Sequence, residues 1–131
     1  MKMTLKTLLL PGATAVAAIA PLSTAHAQIA NETKITVLYG QPKSPEDFDK
    51  YYLSTHMAMV NAAKGIKRIE LAKCLPKPDG SAPAFYRITE IYFDNPEQMA
   101  AVTGSPEWQK IREDVPNFAL GGATVLVSKI N

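Results

Sequence analysis

The sequence predicts an α+β domain built on one four-stranded antiparallel sheet with its helices on one face, and three observations carry that prediction. Four segments, Thr33 to Tyr39, Ile66 to Leu75, Ala84 to Phe93 and Ala123 to Ile130, are β-branched and aromatic or alternate in polarity. The segment after the first strand instead repeats its apolar residues at three- and four-residue steps, and the segment after the third opens on the helix starts Asn95-Pro96 and Ser105-Pro106-Glu107. Between the second and third strands lies only Pro76 to Pro83, whose prolines and Asp79-Gly80 make a solvent-exposed hairpin loop.

The first 27 residues stand outside that domain. Lys2 and Lys6 form a positive start, Leu8 to Ala20 is apolar, and Ala25-His26-Ala27 supplies the small residues of a cleavage site. This is the pattern of a secretory signal peptide over residues 1–27. The apolar run, broken by Pro11-Gly12, falls well short of the ~20 residues that cross a bilayer. No cysteine follows the cut to accept a lipid, and no twin arginine marks export in the folded state. The expected product is a soluble protein, periplasmic or secreted, and residues 28–131 are long enough for one domain and no more.

After a polar lead-in, the first strand puts Ile35, Val37 and Tyr39 on one face and Thr36 and Leu38 on the other. Gly40 to Lys43 turns the chain. Ser44-Pro45-Glu46-Asp47 then marks a helix start, with a capping serine, proline at the first helical position and acids in the first turn. Phe48, Tyr52, Thr55, Met59 and Ala62 or Ala63 predict one buried stripe on a single α-helix, with His56 on its flank about 60° from the middle. Gly65 ends the helix. On the third strand Tyr86, Ile88, Glu90 and Tyr92 share one face, and Phe85, Arg87, Thr89, Ile91 and Phe93 the other. Asn95-Pro96 starts a helix that breaks at Thr103-Gly104, and Ser105-Pro106-Glu107 starts a second piece that runs to Pro116. Gly121-Gly122 precedes the last strand. The order βαββαβ is the ferredoxin-like arrangement.

Large apolar residues fall on both faces of the strands, and an open sheet face of that kind is not left in water. Two sheets packed face to face would bury it, which predicts a homodimer forming a dimeric α+β barrel. Arg87 and Glu90, mid-strand on opposite faces, then need partners.

Composition removes several functions. The leader carries two lysines and no acid, so the mature chain has 12 basic against 12 acidic residues, unlike an electrostatic nucleic-acid binder. Cys74 is the single cysteine, which excludes an intramolecular disulfide and reads as a small half-buried residue. There is no metal-ligand spacing, glycine-rich nucleotide loop or flavin signature. No metal is expected.

His56 is the only imidazole outside the leader and sits on an aromatic-rich helix, so it is the candidate general acid or base. Its expected pocket lies between helices and sheet, lined by Tyr39, Tyr52, Met59, Trp108 and Phe118, an apolar lining with a few donors that suits a small hydrophobic or phenolic molecule. The plain alternative is a histidine that bonds a neighbour and packs. Tyr51 and Tyr52 point about 100° apart on a helix, and Tyr52 is the one expected beside His56. Asn117 either caps a helix end or donates to a substrate oxygen. Asp114, next to Glu113, reads as a solvated acid and not as half of a catalytic dyad.

Three stretches together resemble the EthD family, named for ethyl tert-butyl ether degradation, within the dimeric α+β barrel superfamily. They are Ile35 to Tyr39 with the proline-containing turn and Phe48, then Tyr51-Tyr52-x-x-Thr55-His56-Met57, then Asp114-Val115-Pro116-Asn117-Phe118. Ala58-Met59 departs from the proline and leucine usual there. The resemblance implies an association with oxidative ether degradation. The superfamily includes cofactor-free oxygenases, isomerases, polyketide-processing enzymes and haem enzymes, among which the fold cannot choose. Three readings therefore stand open. One is a cofactor-independent enzyme, of oxidoreductase, isomerase or lyase type, acting through His56 on a small oxygen-bearing molecule. The second is a non-catalytic homodimer that carries a small ligand. The third is haem binding with His56 as axial ligand.

Overall fold

The computed structural model describes residues 12–15, 17 and 31–131. The signal peptide expected over residues 1–27 lies, but for those first five positions, outside the described residues.

Strand β1 (Thr33–Tyr39) is followed by helix α1 (Pro45–Tyr51), a π-helical turn (Tyr52–His56) and helix α2 (Met57–Ala62). Strands β2 (Arg68–Lys73) and β3 (Arg87–Phe93) come next. Helices α3 (Pro96–Thr103) and α4 (Pro106–Asp114), a 3₁₀ turn (Val115–Asn117) and strand β4 (Ala123–Lys129) complete the domain. The Ser44, Asn95 and Ser105 side chains each accept a backbone N–H of the helix they precede. Each such cap is worth about 1 kcal/mol, and each is followed by proline where its missing donor costs nothing. Gly65 takes the left-handed conformation, φ 91°, just beyond α2.

All neighbours in the sheet are antiparallel, in the order β2-β3-β1-β4. Ile35 lies opposite Ile91 and Val127, and Val37 opposite Thr89 and Val125, so the odd-numbered residues share the face under the helices. The core sits there, with Ile35, Tyr39, Ile91 and Phe93 from the sheet against Phe48, Tyr52, Val60, Trp108 and Ile111 from the helices. Phe48 is its hub, with ring centroids 5.5 Å from Tyr39 and 5.2 Å from both Tyr86 and Phe118. Such aromatic pairs contribute about 0.5–1.5 kcal/mol each beyond their burial. At the end of the sheet Gly40 and Gly121 approach so closely that the Gly121 carbonyl occupies the place of a side chain on Gly40.

The first helical region departs from the single regular helix expected. The Met57 N–H bonds the Tyr52 carbonyl five residues back, so the turn holds one extra residue. An extra residue sets everything after it back by about 100°. That brings His56 and Val60 into line with Phe48 and Tyr52, leaves Thr55 exposed and moves Met59 to the flank. His56, expected on the edge of the stripe, lies in its middle.

Other expectations hold with smaller changes. β3 begins at Arg87 and not Ala84, and Tyr86 leaves the strand's alternation to enter the core, where its hydroxyl donates to Asp49 at 2.9 Å. Arg87 donates to Asp49 at 2.7 Å, and Glu90 pairs with Lys34 at 2.5 Å, so both mid-strand charges find partners. On the open face the Arg68 guanidinium lies 3.5 Å from the centre of the Tyr92 ring. β4 is exposed on both sides, with Val125 at 60 %, Leu126 at 49 % and Val127 at 62 %. Among the described residues no helix is long and apolar enough to cross a membrane.

Candidate active site

The π turn delivers His56 to the interior, and the end of α4 delivers its partner. His56 Nδ1 lies 2.9 Å from Asp114 Oδ2, with both side chains almost wholly buried. The other carboxylate oxygen, Oδ1, accepts from the Tyr51 hydroxyl at 2.6 Å and from Asn117 Nδ2 at 3.0 Å. Pro116 helps to tighten the chain into the 3₁₀ turn after α4, which places Asn117 against Asp114. Phe118 packs on the imidazole at 4.6 Å between centroids, and Tyr52 stacks beside it at 6.2 Å.

Burial pushes the His56 pKa below its ordinary value, outweighing the upward pull of Asp114. Burial acts to raise Asp114, but the bonds from Tyr51, Asn117 and His56 outweigh it and hold the carboxyl below the usual carboxylate range. The pair is therefore a neutral imidazole donating Nδ1–H to a carboxylate, which sets the tautomer and leaves a lone pair on Nε2. The bond to Asp114 pushes the Tyr51 phenol up, so it remains a donor.

His56 borders a cavity of about 120 Å³ between helices and sheet. A cavity of about 150 Å³ holds benzene, so this one suits a single small ring or short chain. Its walls include Ile35, Val37, Val60, Ile91, Trp108 and Ile111, and His56, Tyr39, Thr89 and Arg112 are among the residues bordering it, in a lining that is almost wholly apolar. Thr89 Oγ1 shares a 2.5 Å hydrogen bond with the Tyr52 hydroxyl. Burial pushes the Tyr39 phenol far up, keeping it protonated as a donor. The arrangement provides a base, a phenolic donor and an apolar bed. Two larger hollows, about 470 and 270 Å³, are open grooves that do not touch His56.

Of the expected lining residues, Tyr39 and Trp108 border the cavity with His56. Phe118 backs the imidazole, and Asn117 acts on Asp114. Tyr52 is 0 % exposed and committed to Thr89, while Met59 is half-buried against the core, and neither borders the cavity. Asp114 is corrected from a solvated acid to the orienting partner of His56, because the turn of the chain at Val115 directs its carboxyl inward while Glu113 stays outside. Of the two tyrosines weighed, Tyr51 and not Tyr52 bonds the partner of His56, and Thr89 and Arg112 were not expected at the site. The three-residue spacing of Asp114 and Asn117 was a usable signal, whereas nothing local marked Thr89.

Haem does not fit here. A porphyrin needs several times this volume, and Arg112 is the one permanently charged residue bordering the cavity. Among the described residues no group of three or more His, Cys, Asp or Glu could hold a metal ion.

Comparison with known proteins identifies the family and the fold. The EthD domain model matches residues 40–121, which include both the His56 helix and the Asp114 turn. An uncharacterized 11.0 kDa protein of the thcB-thcC intergenic region of Rhodococcus erythropolis is 36% identical over 93 residues, covering 71% of this chain and 89% of that protein. The structure of an ethyl tert-butyl ether degradation family protein from Bacillus halodurans superposes with a TM-score of 0.70 at 24% identity, over 75% of this chain and 97% of that one. A hydroxynitrile lyase from Passiflora edulis shares the fold with a TM-score of 0.62 at 17% identity, over 78% of this chain and 95% of that one. The chain belongs to the EthD family.

Proposed function

We propose that this protein is a small enzyme that needs no cofactor and uses His56 as a general base on a small hydrophobic, oxygen-bearing molecule. The observation that carries the reading is the bond of 2.9 Å between His56 and Asp114, beside a cavity that His56 itself borders. A histidine that merely packs has no need of a buried carboxylate held by two further donors. That a hydroxynitrile lyase is built on the same fold supports an enzyme on this scaffold without naming its reaction.

The test is proton abstraction itself. Small ketones, phenols and hydroxy compounds are incubated with the mature protein in D₂O, and deuterium incorporation is followed by NMR. Wild type is expected to exchange at least one carbon-bound proton, and His56→Ala, shown to be folded by circular dichroism, to lose that exchange. Ligand binding without exchange in the wild type, or equal exchange in the variant, would replace the enzyme with a carrier.

The reading extends to assembly and location. Two copies pair through the open sheet face, where Leu126, opposite Thr36 of β1, exposes half its surface. Leu126→Lys is expected to shift the sedimenting species from dimer to monomer. Export rests on the leader over residues 1–27, and cell fractionation with an antibody to the mature chain checks it.

A further inference from the structure

Arg112 stands apart from the other arginines of the chain. Arg68 pairs with Glu32 and Glu70, and Arg87 with Asp49. Arg112 has no ion pair or hydrogen bond among the described residues. The residues three and four away on α4 and beyond are Trp108, Gln109, Val115 and Pro116, none of them acidic. Glu113 accepts from Gln109 instead, and the carboxylate of Asp114 is taken up by Tyr51, Asn117 and His56.

The position of Arg112 is specific. The residue borders the same cavity as His56 and is exposed, as are Ala123 and Val125 of β4, which border the cavity too. These exposed members mark the mouth, between the end of α4 and β4, whereas His56, Tyr39 and Thr89 are buried. A ligand whose apolar body fills the cavity and whose end reaches this mouth meets Arg112, whose planar donor fork matches a carboxylate.

We propose that the molecule acted on is a small organic acid whose apolar body lies against His56 and whose carboxylate is bound by Arg112 at the cavity mouth. The inference rests on the reading of the His56 cavity as a substrate site. Arg112 also complements the C-terminal end of the α4 dipole, but that role places no demand on which ligand is bound.

The test compares acids with their uncharged amides at three sizes: acetate with acetamide, isobutyrate with isobutyramide, and benzoate with benzamide, each titrated calorimetrically into the mature protein. The expected result is that at least one acid binds about 10-fold or more tightly than its amide. Arg112→Gln, whose fold is verified by its thermal unfolding, is expected to abolish that preference and leave amide binding unchanged, and Arg112→Lys to keep part of it. Failure of every acid to bind more tightly than its amide overturns the inference, as does a preference that survives in Arg112→Gln. The two readings fail separately. His56-dependent exchange without any acid preference removes the carboxylate and keeps the enzyme. An Arg112-dependent acid preference without His56-dependent exchange keeps the carboxylate and makes the protein a carrier of small acids.

Discussion

His56 Nδ1 and Asp114 Oδ2 meet at 2.9 Å although 58 positions separate them in the chain. The contact joins the π turn of the first helical region to the end of the second, and it determines which imidazole nitrogen carries the proton. Asp114→Asn retains the shape but can present its amide nitrogen to Nδ1, which favours the opposite tautomer. Turnover is expected to fall by about 100- to 10,000-fold with the fold intact. The double variant with His56→Ala should be no slower than His56→Ala alone, because the two act as a unit. Steady-state kinetics on any substrate found by deuterium exchange checks both.

The pH profile carries a sign. His56 is held below its ordinary value of 6.5, so the base form predominates at neutral pH and kcat/KM should decline only as pH falls through the lowered value. Asp114 pulls the His56 pKa upward. Asp114→Asn therefore moves the acid limb to still lower pH while it lowers the plateau. An acid limb that moves upward in the variant contradicts the assignment of His56 as the base.

Stability follows the same shifts. Above pH 6.5 His56 is neutral in both folded and unfolded chains. Below 6.5 the unfolded chain takes up a proton that the folded one resists, so stability declines until the folded value is passed. Asp114, lowered from 3.8, contributes stability that is present above 3.8 and lost as pH falls through its folded value. Urea unfolding from pH 7.5 to pH 5 should show a decline that His56→Gln flattens.

Thr89→Val keeps the size of the side chain and removes the partner of the Tyr52 hydroxyl, which is wholly buried. An unsatisfied hydroxyl in that position costs about 1–3 kcal/mol. The loss should appear as a lower urea midpoint with an unchanged slope.

The π turn makes an unusual prediction. Removing Ser54, which is exposed, shortens the turn to a regular α-helical one and leaves His56 and Val60 in line with Phe48 and Tyr52. Deleting Ala58 instead swings Val60 about 100° away from the core and forfeits its burial, worth about 2 kcal/mol. The Ser54 deletion should retain cooperative thermal unfolding and His56-dependent exchange, and the Ala58 deletion should lose both.

Local chemistry in the sequence determined most of the fold. Ser44-Pro45, Asn95-Pro96 and Ser105-Pro106 start helices wherever they occur, because a capping oxygen and a preset φ act within one turn of chain. Period-two alternation marked the strands, and the element order left one compact topology to consider. Tertiary structure alone decided the site. Whether a helix stays regular or takes an extra residue at Tyr52 depends on what each alternative buries, and the sheet that rewards turning His56 inward is distant in sequence. Asp114 looked like any exposed acid until Tyr51, Asn117 and His56 supplied the donors that offset its desolvation. Arg112, without an ion pair or hydrogen bond among the described residues, likewise became informative only once its neighbours in space, and not in sequence, were known.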